Sequence, residues 1–168
     1  MSRKPPARAE ALLAPPLGEV LDFLRWLWAV DHGLETASKR MQVALGITGP
    51  QRLVLRLVGR FPGIRPGRLA EILHVHPSTV SGLVARLERR GLLERRRDPR
   101  DRRRFHLGLT VGGRHLDAPA PGTIEAAVAQ VLGTFPPSRV AAARDVLGAL
   151  ALALQEGQPP RSTVARDR

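Results

Sequence analysis

The chain has 168 residues, 27 basic against 15 acidic, a formal net charge of +12 and no cysteine. A disulfide framework, a thiolate metal site and a thiol redox switch are therefore excluded, and the length suits one compact domain with a tail at either end. No apolar run is long enough to span a membrane, and residues 1–16 lack the continuous apolar stretch of a secretory signal, so a cytoplasmic protein with no membrane partner is expected.

Aromatics are only 4% of the chain, so Leu, Val, Ile and Ala must build the core. Of the basic residues only Lys4 and Lys39 are lysine. A GC-rich coding sequence explains arginine over lysine, but not a surplus of positive charge. Guanidinium forks match phosphates and guanine edges better than ammonium groups do.

In chain order, residues 1–16 hold four prolines and no periodicity. They are expected to be a disordered tail, as are residues 157–168. From Leu17 to Leu45 the apolar residues Leu17, Val20, Leu21, Leu24, Leu27, Trp28, Leu34, Met41 and Leu45 step by threes and fours along much of one helix face. Such a helix is roughly 40 Å long, more than a small domain needs for its own packing. Gly46 ends it. Thr48 caps a second helix with Pro50 in its first turn, carrying Leu53, Val54, Leu57 and Val58 and stopping at Phe61-Pro62-Gly63. A short third helix follows Pro66, with Leu69, Ala70, Ile72 and Leu73 inward. A fourth runs from Pro77 to Arg90 on Val80, Leu83, Val84 and Leu87, and Gly91 closes it.

The pattern then changes. Leu92–Arg97 and Arg104–Leu109 read as short strands about a polar tip, Asp98-Pro99-Arg100-Asp101-Arg102-Arg103. Thr110 caps a helix from Val111, which Pro119 and Pro121 interrupt or kink. The period resumes from Thr123 with Ile124, Ala127, Val128, Val131 and Leu132. Phe135-Pro136-Pro137 breaks it, and a last helix runs from Ser138 to about Gln155.

The third and fourth helices are joined by the short turn His74-Val75-His76, the spacing of a helix-turn-helix. Opposite the apolar face, the fourth helix offers Pro77, Ser78, Thr79, Ser81 and Gly82 near its N-terminus and Arg86 further along. Small hydroxyl side chains there can approach base edges. Charge concentrates directly afterwards: Arg86 to Arg104 holds ten arginines against Glu88, Glu94, Asp98 and Asp101. A solvated charge run would interleave acids more evenly. An arginine-studded hairpin after a recognition helix reads as a wing on the DNA backbone, with Arg95, Arg97, Arg100, Arg102, Arg103 and Arg104 as its contacts.

At this point the residues resemble the MarR family of winged-helix transcriptional regulators. The matching stretches are LGITGPQRLVL, PGIRPGRLAEIL, VHPSTVSGLVARLERRGLLERR, DPRDRRRFHLGLT and GGRHL, within Leu45–Leu116. The resemblance implies a mainly α fold with a small β-hairpin wing: a winged helix-turn-helix over 47–110, flanked by a dimerisation helix over 17–46 and C-terminal dimerisation helices over 111–156. It further implies a homodimer on a palindromic double-stranded operator. Ser78, Thr79 and Ser81 would lie in the major groove, and Arg103 would reach the minor groove at the wing tip. Asp101 would orient that arginine, as a nearby carboxylate can by a bidentate pair. The chain departs from the family at Pro119 and Pro121, which sit in a helix usually continuous there, and at two further positions. Arg104 stands where a small residue is common, making the wing more basic. Gly82 stands where many members carry a larger polar side chain, which leaves base specificity open.

The expected function is a dimeric, sequence-specific transcriptional regulator, a repressor released by a small-molecule effector. The alternatives are a ligand-independent regulator, a non-specific architectural nucleic-acid-binding protein on the same fold, or an adaptor without DNA binding. Trp28 and His32 could line the effector crevice or simply pack in the dimer. No metal or cofactor is expected, because His74 and His76 are two apart where a helical pair needs three or four. No enzyme is expected either: there is no phosphate loop or nucleophile elbow, and Asp98 and Asp101 sit among arginines that keep both ionised.

Overall fold

The computed structural model describes residues 17–97 and 105–156. The two tails and the hairpin tip, for which disorder and a turn are expected, lie outside those residues. Among the described residues seven helices and one hairpin follow in order: α1 (Glu19–Leu45), α2 (Gly49–Arg60), α3 (Pro66–Leu73), α4 (Pro77–Arg89), β1 (Leu93–Arg97), β2 (Phe105–Leu109), α5 (Val111–Asp117), α6 (Ile124–Leu132) and α7 (Pro137–Glu156). The fold is mainly helical with a small two-stranded wing, as the sequence predicts.

Local chemistry sets most of the boundaries. At the start of α2, the Thr48 hydroxyl accepts from the Gln51 backbone N–H. The Gln51 side chain in turn accepts from the Thr48 N–H at 3.0 Å. This capping box satisfies two donors that a helix start leaves orphaned. Thr110 caps α5 by accepting from the Gly113 N–H at 3.0 Å. Thr123, only 2% exposed, caps α6 and donates to the Ala120 carbonyl at 2.8 Å. Pro119 and Pro121 separate α5 from α6 outright: α5 ends at Asp117 and helix resumes at Ile124, so the interrupted alternative is the one realised.

The core lies in the middle of the chain. Ile47, Val54, Leu55, Val58, Leu69, Val80, Val84, Leu87, Leu93 and Leu107 pack into one buried cluster drawn from α2, α3, α4 and the hairpin. Each such side chain gains about 1.5–3 kcal/mol from leaving water. One residue of the predicted α2 set is corrected. Leu53 is exposed, whereas Leu55 is fully buried. The inward stripe of α2 is Gln51, Val54, Leu55 and Val58, a helical repeat that leaves residue 53 facing outward.

The strands pair antiparallel, with Leu93 opposite Leu109, Arg95 opposite Leu107 and Arg97 opposite Phe105. The loop before α3 adds a third edge: the Gly63 N–H donates to the Leu107 carbonyl at 3.1 Å, and the Leu107 N–H to the Ile64 carbonyl at 3.0 Å. Leu107 is thereby fixed at the base of the wing. Gly113 brings α5 hard against the strand entry, since a Cβ there would collide with the Leu92 carbonyl oxygen.

Outside this core, burial is sparse. Met41 is the only buried residue of α1, and α6 has none. Leu116 of α5 packs against the core cluster, and arginine adds a polar tie for both α5 and α6. Arg52 on α2 is 1% exposed. Its guanidinium donates to the Leu116 carbonyl at 2.5 Å and the Ala118 carbonyl at 3.0 Å, and pairs with Glu125 at 2.5 Å. Arg56, one turn on, donates to the Asp117 carbonyl and its carboxylate. The two cations thus satisfy the orphan carbonyls at the C-terminus of α5 and complement its dipole.

Two stability predictions follow from these contacts. Gly113→Ala should lower stability by about 1–3 kcal/mol through overpacking, while Gly112→Ala, whose nearest contact would be an ordinary 3.6 Å, should not destabilise; urea unfolding compares them. Arg52→Ala should cost about 3 kcal/mol or more, because it strands two carbonyls and one carboxylate. Its expected signature is early loss of hydrogen-exchange protection in α5 and α6.

Candidate nucleic-acid interface

The turn between α3 and α4 is built on a strained residue. His74 closes α3 at φ 50, in the left-handed region, which costs a non-glycine residue energy. Its N–H bonds back to the Ala70 and Glu71 carbonyls, and its own carbonyl accepts from the Gln155 side chain at 2.6 Å. The end of α7 therefore rests on this turn. His76 is the N-cap of α4: its Nδ1 accepts from the Ser78 N–H at 3.2 Å and lies 2.7 Å from the Ser78 hydroxyl. With Nδ1 as acceptor for both, the Ser78 O–H points at His76 and its lone pairs face outward.

Burial of Val80, Val84 and Leu87 fixes the roll of α4. The opposite side carries the residues singled out from the sequence: Pro77, Ser78, Thr79, Ser81 and Arg86 are exposed, and Gly82 is half-buried. Ala85 and Arg89 share this surface with Gly82 and Arg86 around an open depression. They stand at helical steps from Ser78, Ser81 and Gly82, so the spacing of three and four could have found them.

The wing arginines do not all stand alike. Arg95 turns toward α4 and pairs with Glu88 at 2.9 Å, bracing the hairpin on the helix. Arg96 pairs with Glu94 on its own strand at 2.5 Å. Arg97 is exposed at the end of β1. Arg100, Asp101, Arg102, Arg103 and Arg104 lie outside the described residues. Trp28 and His32 sit on α1, both exposed. Trp28 lines an open, largely apolar groove with Leu21, Leu24 and Leu27 of α1 and Leu17 just before it, and His32 is not part of it. Among the described residues this groove has no opposite wall. No described helix is long and apolar enough to cross a membrane.

The architecture is thus a helix-turn-helix whose second helix shows a small-residue, hydroxyl and arginine face, beside a basic hairpin. Comparison with known proteins gives the same outline. The MarR family model matches residues 45–104. The transcriptional regulator HosA of Escherichia coli O111:H- is 38% identical over 74 residues, which cover 44% of this chain and 55% of HosA. The chain thus matches about half the length of that relative. An organic hydroperoxide resistance transcriptional regulator of Bacillus subtilis (strain 168) is 31% identical over 101 residues, 58% of this chain and 69% of that protein. Among solved structures, CouR from Rhodococcus jostii RHA1 bound to p-coumaroyl-CoA superposes with a TM-score of 0.66 at 30% identity, covering 82% of this chain and 96% of CouR. The two curated relatives are named as transcriptional regulators.

The N-cap of α4 is open to a direct check. His76→Ala should cost about 1 kcal/mol, the worth of a typical cap. His76→Asn, whose side chain can accept the same N–H, should restore most of it in urea unfolding.

Proposed function

The chain belongs to the MarR family, and on that premise we propose that it is a homodimeric, sequence-specific DNA-binding transcriptional regulator, a repressor released by a small-molecule ligand. The observation that carries this reading is the outward face of α4, with Ser78, Thr79, Ser81, Gly82 and Arg86 beside an arginine hairpin. A helix of this width fits the major groove, and its small N-terminal side chains let the backbone approach base edges. The hairpin follows the phosphates, with Arg103 entering the minor groove and Asp101 orienting it. Such a protein acts on chromosomal DNA in the cytoplasm.

Dimerisation is supported by the apolar side chains that one protomer leaves in water. Val20, Leu21, Leu24 and Trp28 on α1, Val131 and Leu132 on α6, and Val146, Leu147 and Leu154 on α7 are all largely exposed. A monomer rarely tolerates so extended an apolar surface. A second copy, related by a two-fold axis, covers these helices and sets two recognition helices one DNA turn apart.

Release by a ligand is supported by CouR, which was solved with p-coumaroyl-CoA. In this chain the ligand would lie between the dimerisation helices and the winged core, against Trp28 and His32. It would act by changing the spacing of the two recognition helices. A full switch needs roughly 10⁴-fold preference for one spacing. The peroxide-linked name of the Bacillus relative does not carry over to thiol chemistry, since this chain has no cysteine.

Selection of bound sites from random-sequence DNA tests the proposal. The expected result is a palindromic consensus, with half-sites about 10 base pairs apart. Arg97→Ala should weaken binding to every sequence alike and flatten the log–log salt slope by about 0.9 per protomer. Random DNA competing as well as any selected site would sink the regulator reading and favour a non-specific architectural role.

A further inference from the structure

Long side chains normally cover the solvent side of a helix this basic. On α4 there is instead a depression lined by Gly82, Ala85, Arg86, Glu88 and Arg89. Two of these five have no atom beyond Cβ. Arg86 is four residues beyond Gly82, and helical side chains lean toward the N-terminus, over the turn before them. The structure shows this lean. A Cβ built on Gly82 would meet only one side chain, the Arg86 Nη2 at 3.6 Å. The guanidinium therefore lies close above residue 82, where almost any other residue would place its own side chain.

The position matters because it carries the guanidinium back toward Ser78, Thr79 and Ser81, at the end of the helix nearest the base edges in the reading above. The acid in the depression, Glu88, is already held by Arg95 at 2.9 Å. Arg86 has no ion-pair partner among the described residues. Its planar fork is thus presented outward, with its donors available.

We propose that Arg86 reads a guanine in each half-site and that Gly82 gives it the reach to do so; this rests on the DNA-binding reading above. The two Arg86 amino groups match the O6 and N7 acceptors that guanine alone presents in the major groove. A larger residue at position 82 would push the guanidinium outward, toward the phosphates, where it adds affinity but reads nothing. The glycine that leaves base specificity open in the sequence is, in three dimensions, the gap through which specificity is exercised.

The test is site selection from random DNA with the full chain and with Arg86→Ala and Gly82→Leu, followed by titration of the consensus and its single-base variants. Leucine is a better helix former than glycine, so Gly82→Leu fills the depression without weakening α4, and thermal melting checks that both variants stay folded. The full chain is expected to select guanine at one position of each half-site. Both variants should lose discrimination there by roughly ten- to a hundredfold while the other positions keep theirs. The assignment is overturned if Arg86→Ala weakens all sequences equally with the consensus unchanged, or if Gly82→Leu retains the guanine. Absence of any consensus with the full chain would instead remove the DNA-reading premise itself.

Discussion

One buried cation joins the winged core to both α5 and α6. Arg52 sits in the wall of the winged core at 1% exposure and collects the Leu116 and Ala118 carbonyls and the Glu125 carboxylate. A guanidinium is suited to this work because its planar fork can serve several acceptors at once, and it stays charged when dry. Hydrophobic burial could not replace it, since α6 has no buried residue of its own. The direction in which the C-terminal helices leave the core therefore depends on a polar contact. Such contacts are directional, whereas apolar packing is not.

That arrangement explains the uneven distribution of burial. The core from Ile47 to Leu107 is closed and self-sufficient. The long α1 and the last two helices carry apolar side chains that the described residues leave exposed. Glu125 on α6 meets Arg52 on α2, and α2 packs directly against α4 in the same core.

Arginine plays several parts here that composition does not separate. Arg52 and Arg56 are structural and turn inward to carbonyls. Arg95 is a brace, tied to Glu88 between wing and helix. Arg86 and Arg97 present their charge to solvent. A high net charge sums all of these. Net charge alone does not say which of these cations an anionic partner can reach.

Much of the architecture was legible in the sequence because it is written in short-range terms. Helix periodicity, the Thr48, Thr110 and Thr123 caps and the proline breaks at 119 and 121 all depend on neighbours within four residues. The outward face of α4 followed as well, since Val80, Val84 and Leu87 fix its roll. What stayed hidden depends on partners far apart in the chain. Arg52 meets its acceptors across 64, 66 and 73 residues, and nothing near position 52 announces that its charge is buried. Leu53 and Leu55 are equally apolar in sequence, and only the position of α2 against the core exposes one and buries the other. Gly113 reads as one letter of a motif until the Leu92 carbonyl is found in the space its side chain would fill. Sequence alone determined the order of elements and which residues of α4 face outward, because those follow from local hydrogen bonding and the helical repeat. Tertiary structure decided which arginines are braces, which are clamps and which are free to meet a partner, because an ion's role is set by the distant groups that surround it.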